Sequence, residues 1–268
     1  MRTGHALLMA AVFAGAWLFC CCASSGHDLK VFASRQKLAQ PGKTVAFLSW
    51  GHVLPADELI DAKSLEQYEL RLPDGGSRRL PLQELGFQEC EVDCQQLGLY
   101  QIAAVRRPGT FTFVFDESGR RVMRRGNKKE VAAGKIDYAM RSYQFAKAYV
   151  LCGEVNEKPS PLGHILELVP IDSPKHWSTQ IPLRLQLLFR GSPLAGEVVT
   201  ATYVGYHPED AWCFAKETDR EGLVHVSCST PGTWVFRVRH RRAVSDGERD
   251  LLDYEVFTAT LTLAISGR

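Results

Sequence analysis

The chain has 268 residues, 45% of them hydrophobic and 23% charged, a balance that excludes wholesale disorder and suits one large domain or two modest ones. Thirty-two Lys and Arg stand against 30 Asp and Glu, for a net charge of +2. That is far from the basic excess needed to neutralise nucleic-acid phosphates, so no DNA- or RNA-binding role is expected.

In chain order, Arg2 precedes an apolar run from Ala6 to Cys22, followed by Ala23, Ser24, Ser25 and Gly26. A basic start, an apolar centre and a small-residue end read as a secretory signal peptide over residues 1–26, which places the rest of the chain in the periplasm or otherwise outside the cytoplasm. An uncleaved leader or a lipidated cysteine would instead tether it, although bulky Trp17, Leu18 and Phe19 stand where lipidation favours small residues. Cleavage after Gly26 would make His27 the new N-terminus. Arg2 is the only charged side chain removed, so the exported part is nearly neutral.

Short β-rich runs then recur between Gly, Pro and Asp: DLKVFAS, KTVAFLSW, YELRL, LYQIAAV and TFTFVF, followed later by LRLQLLF, EVVTATYV, LVHVSCS, TWVFRVRH and FTATLTLAI. Such spacing predicts an all-β protein. Only KKEVAAGKIDYAMRSY has the Ala, Lys and Glu content of a helix, of two or three turns at most, and Gly134 weakens it. The polar stretch from Cys152 to Gly163, with two prolines, reads as a linker. The expectation is therefore two tandem Ig-like or transthyretin-like β-sandwich domains, residues 27–150 and 164–268, joined by a linker over 151–163. In the second half the TDREG and PGTW turns between strands resemble the transthyretin-like sandwich, a likeness of fold that specifies no activity.

Motifs that would carry catalysis are missing. There is no G-x-S-x-G elbow, no G-x-x-x-x-G-K-[ST] phosphate loop, no G-x-G-x-x-G and no H-E-x-x-H, so neither a nucleotide nor an enzymatic role is expected. Five cysteines follow the leader: Cys90, Cys94, Cys152, Cys213 and Cys228. The odd number leaves at least one thiol unpaired. Cys213 and Cys228, in adjacent strand-like runs either side of a turn, are the expected disulfide in an oxidising compartment. Cys90 and Cys94 form a C-x3-C pair, which is a weak metal signal.

Seven histidines follow the leader. His27 opens the first strand run and His52 closes the second, and residues at the same end of neighbouring antiparallel strands can meet. From the residues alone two readings stand open: a terminal and a loop side chain facing water, or a pair of metal ligands. His225 and His240 lie inside strands, and His164, His176 and His207 lie near the linker or turns.

HDLKVFAS after a leader, then PGKTVAFLSWGH, LGHILELVPIDSP, IPLRLQLLFRGSPLAGEVVTATY, DREGLVHVSCSTPGTWVFRVRHRR and FTATLTLAI together resemble the periplasmic nickel-uptake-associated proteins, commonly catalogued as a domain of unknown function. The resemblance spans essentially the whole exported chain. It implies an exported metal-binding or metal-delivery component beside a membrane-embedded nickel or cobalt transporter. The family's His-Asp start falls on His27 and Asp28, its Gly-His on Gly51 and His52, and its late strand histidine on His240. Lys30 stands where family members often have Trp or Tyr.

The resemblance therefore implies a metal site of His27 and His52, joined by Asp28 as ligand or as partner to a ligand ring, and by His240. Nickel leads among the ions, with cobalt, copper and zinc compatible with imidazole ligands. The competing expectation, from another class, is a structural or adhesive β-sandwich module that binds protein or glycan through its loops without metal.

Overall fold

The computed structural model describes residues 27–131, 134–206 and 212–267. The expected leader, residues 1–26, lies outside them. Among the described residues the first half carries β1 (Asp28–Ala33), β2 (Lys37–Leu38), β3 (Gly42–Gly51), β4 (Ile60–Asp61), β5 (Leu65–Arg71), β6 (Ser77–Arg79), β7 (Leu85–Gly86), β8 (Cys90–Cys94), β9 (Gly98–Phe115), β10 (Arg121–Arg125) and β11 (Lys135–Cys152). The second half carries β12 (Leu166–Pro170), β13 (Leu183–Phe189), β14 (Ser192–Pro193), β15 (Val198–Tyr203), β16 (Phe214–Glu217), β17 (Leu223–Val226), β18 (Gly232–Ala243) and β19 (Tyr254–Ile265). The protein is all-β, as its period-two pattern predicts; the helices among the described residues are three single 3-10 turns.

From Lys135 onward the expected helix is a strand. Lys135–Cys152 pairs antiparallel with β9 over most of its length and parallel with β19 from Met140 to Ala148. The Ala, Lys and Glu that suggest a helix lie mainly before Lys135; within the strand Ile136, Tyr138 and Tyr143 favour ladder pairing and cross-strand stacking, and tertiary context overrides the weak local preference. Tyr138 stacks on Phe113 at 4.6 Å and Tyr143 on Phe257 at 4.7 Å.

The two halves also associate differently from two separate sandwiches. One large sheet runs β16-β15-β18-β19-β11-β9-β5-β6, with β10 and β2 at its margins, and crosses from one half to the other at β11 and β19. On one face lies the small sheet β1-β3-β8, and on the other lies β12-β13-β14 with β17. β11 serves both cores by alternation: Ala146, Ala148, Val150 and Cys152 join the core under β1 and β3, while Phe145, Tyr149 and Leu151 join the core under β12 and β13. A strand buried on both faces reads as a nearly continuous apolar run, as FAKAYVLC does. Trp177, Trp234, Phe236 and Phe257 are the large side chains of the second core, and full burial of such a group contributes about 1.5–3 kcal/mol.

Within that second core sits an ion pair. Lys147 Nζ lies 2.5 Å from Glu167 Oε1, with both side chains only 2% exposed. Glu167 also accepts the N–H groups of Leu162 and Gly163 at 2.8 and 3.0 Å, which ties the end of the Pro-containing connection to β12. Burial favours the neutral form of the Glu167 carboxyl, but the Lys147 charge and these N–H donors outweigh it and hold the group below the usual carboxylate range. His164 packs on Phe145 beside the pair, and burial pushes its imidazole down to about 4.

Candidate functional site

β1 and β3 pair antiparallel from Asp28 opposite Gly51 to Ala33 opposite Ala46. Continuing that register by one residue sets His27 across from His52. Their rings meet edge-to-face, with centroids 4.7 Å apart and planes at 88°. His27 also lies edge-on to Trp50 at 5.6 Å, and the Arg106 guanidinium covers Trp50 at 4.6 Å. Beyond His52 the chain folds back, so that the Glu58 N–H donates to the Trp50 carbonyl at 2.8 Å and Glu58 Oε2 reaches 3.3 Å from His27 Nδ1.

The turn that carries His52 depends on Gly51 and Asp57. Gly51 has φ +120°, and a Cβ there would strike the Asp57 side chain. One Asp57 oxygen accepts the backbone N–H groups of His52 and Val53 at 2.7 and 3.2 Å. These two bonds hold its carboxyl below the usual range. Lys30, buried despite its charge, donates from Nζ to the Gly51 carbonyl at 2.6 Å and pins the end of β3 to β1. Gln144 closes the other side: its Oε1 accepts from Leu29 N at 2.7 Å and its Nε2 donates to the His27 carbonyl at 2.8 Å.

Of the four residues expected at a metal site, the structure brings His27 and His52 together and places the other two elsewhere. Asp28 is buried between Arg237 and Arg239, which hold its two oxygens at 3.0 and 3.2 Å, so its acceptor capacity goes to guanidinium groups of β18. His240 follows Arg239 on that strand and therefore points through the opposite face of the sheet. There its Nδ1 lies 2.7 Å from Glu197 Oε1, and its ring packs against Phe189 and Phe257. Among the described residues no group of three or more His, Cys, Asp or Glu side chains is arranged to hold a metal ion.

Glu58 and Arg106 are the neighbours that sequence reading missed. Neither carries a local signal: Glu58 arrives by a loop that reverses on itself, and Arg106 arrives by the pairing of β9 with β11 opposite Gln144. His176 and His225 line an open cleft of about 360 Å³ with Asp172 and Arg184, which pair with each other. His207 lies outside the described residues.

The expected Cys213–Cys228 disulfide is not formed: all five described cysteines are free thiols, with Cys213 exposed and the other four buried. Burial pushes the Cys94 thiol up to about 11 and the Cys228 thiol up to about 12, which leaves them inert at neutral pH.

A family model described as a domain of unknown function, DUF4198, matches residues 24–242. The chain belongs to this DUF4198 family. The match runs from just before His27 to just beyond His240, across both cores and the connection between them. The family's description carries no link to nickel uptake, so that part of the resemblance gains no support from it. No curated protein matches the chain. No helix among the described residues is long and apolar enough to cross a membrane.

Proposed function

We propose that this DUF4198 protein is an exported, non-catalytic metal-binding accessory protein that takes a divalent ion of the nickel or cobalt kind at His27 and His52, beside a membrane-embedded transporter. The observation that carries the reading is the 4.7 Å approach of two imidazole rings held on paired strand ends. Residues already fixed by the fold lose little further conformational freedom when an ion binds. Cleavage after Gly26 would add the α-amine of His27, which titrates at about 7.7–8.0 and can chelate together with its own imidazole. Glu58, at 3.3 Å from His27 Nδ1, supplies an oxygen donor or orients that ring. A nitrogen-rich set with one carboxylate suits nickel, cobalt, copper and zinc alike, so availability rather than donor type selects among them.

Calorimetric titration of the chain beginning at His27 with each of the four ions tests the reading. One equivalent of nickel or cobalt should bind at pH 7.5, and retaining Gly26 should weaken binding by removing the amine from the chelate. His27→Ala and His52→Ala should each cost tenfold or more, about 1.4 kcal/mol. His176→Ala and His240→Ala should leave affinity unchanged. Full affinity in the His27→Ala, His52→Ala double variant would end the proposal, and no heat with any of the four ions would favour a module that works without metal.

A further inference from the structure

The face of the large sheet that carries β1 continues beyond it. β1 begins over Gln144 and Thr260, whereas β9, β11, β18 and β19 run on past that point. In this extension the strand order is β10-β9-β11-β19-β18, and the four spacings between the outer strands make a floor about 19 Å wide.

Aromatic rings occupy the centre of the floor. Phe113 stacks on Tyr138 at 4.6 Å, and Tyr138 meets Tyr254 edge-on at 5.9 Å. Cations occupy both margins. On β10, Arg121 lies 5.2 Å over Phe113 and Arg125 follows on the same side; on β18, Arg241 lies 4.7 Å over Tyr254. Tyr138 and Tyr254 are half-buried and the three arginines exposed.

Little acid balances these cations. Arg121 has Asp137 at 3.6 Å, but among the described residues Arg125 and Arg241 have no carboxylate within ion-pair distance. Near the β10 margin the half-buried Arg106 also feels the charge of Arg125; burial first and that repulsion second hold its guanidinium below the usual range. Cations gathered with little counter-charge beside aromatic rings, whose faces are covered by one another and by guanidinium groups and whose edges line the floor, are complementary to a ligand with both acidic groups and apolar C–H surface.

We infer that this floor is a binding site for an acidic polysaccharide, with uronic-acid carboxylates paired to Arg125 and Arg241, and to Arg121 beside its Asp137 partner, and with sugar rings in contact with the exposed edges of Tyr138 and Tyr254. The guanidinium fork matches a carboxylate in bidentate fashion, and the tyrosine edges offer apolar contact to pyranose C–H groups. The site is separate from the His27 and His52 pair, and one can fail without the other.

The test is calorimetry of the chain from His27 to Arg268 with oligogalacturonate and oligoalginate at low salt. Methyl-esterified oligogalacturonate and poly-L-glutamate of similar length serve as comparisons. The expected result is binding of at least one uronate oligomer, at least tenfold weaker binding of the neutral ester, and weaker binding of polyglutamate than of the uronate, because polyglutamate has charge but no pyranose ring for the tyrosines to contact. Arg125→Ala with Arg241→Ala should weaken uronate binding at least tenfold. Both side chains are exposed, and an unchanged thermal midpoint would show that the fold is intact. Tyr138→Ala, checked in the same way, should also weaken it. The inference is overturned if neither uronate oligomer binds, if polyglutamate binds as tightly as the uronates, or if the double arginine variant keeps full affinity.

Discussion

Asp28 and Arg237 meet across 209 residues of chain, Oδ2 to Nη1 at 3.0 Å, and Arg239 takes the second carboxylate oxygen at 3.2 Å. This pairing makes the start of β1 part of the large sheet's structure. Asp28→Ala would leave two guanidinium groups without their shared acid, at a cost of about 2–4 kcal/mol, moderated because Arg239 reaches solvent. Thermal denaturation should show the loss, while nickel affinity at His27 and His52 stays within about twofold. A large loss of affinity without loss of stability would restore Asp28 as a ligand.

Gly51→Ala forces a side chain into a left-handed backbone position and against Asp57, with a cost of about 1–3 kcal/mol expected for such strain. Asp57→Ala removes the obstruction but also the acceptor for two N–H groups. The double variant should therefore be less destabilised than the sum of the singles, and a double-mutant cycle by urea denaturation measures the difference.

Lys147 and Glu167 form a buried pair whose separate loss leaves a charge stranded in an apolar core. Lys147→Met or Glu167→Leu alone should destabilise by about 3–5 kcal/mol, whereas the two together should be much better tolerated. Urea midpoints for the three variants check the order; equal losses for the double and single variants would contradict it.

His164 stays neutral in the folded protein down to about pH 4, while in the unfolded chain it takes up a proton near 6.5. The group contributes no pH dependence above that range. As pH falls from 6.5 to 4 the unfolded state gains a proton that the native state does not, and stability falls by roughly 3 kcal/mol. His164→Phe should flatten this part of the stability profile. Urea melts at pH 7 and pH 4.5 supply the comparison, since the other acids titrate in both proteins.

Alkylation of the native chain from His27 onward should modify Cys213 and spare Cys90, Cys94, Cys152 and Cys228 until the protein is unfolded, when all five react. Peptide mass mapping before and after denaturation reads this directly. Resistance of both Cys213 and Cys228 after denaturation without reductant would show that they pair in the isolated protein.

The all-β class was legible because strand residues alternate over short runs and turn residues separate them; β1, β3, β18 and β19 fall on runs visible in the chain. β11 was not legible in the same way. Its first half, Lys135–Tyr143, falls in the segment whose preceding Ala, Lys and Glu suggest a helix, and its pairing with β9 and β19 makes it a strand.

For the site, His27 and His52 were visible as strand-end residues, and their meeting follows from antiparallel pairing. The roles of Asp28 and His240 were not visible, because they depend on which sheet face each occupies relative to strands about 200 residues away. Asp28 meets arginines on β18, and His240, one position after Arg239, is turned from them by strand alternation.

What the sequence determined by itself was local: strand periodicity, the glycine at position 51, and the order in which apolar runs occur. What tertiary structure decided was which runs share a sheet, which charges become partners, and how β11 serves two cores. Those outcomes depend on burying both faces of one sheet together, a condition imposed by the whole chain that no short window contains.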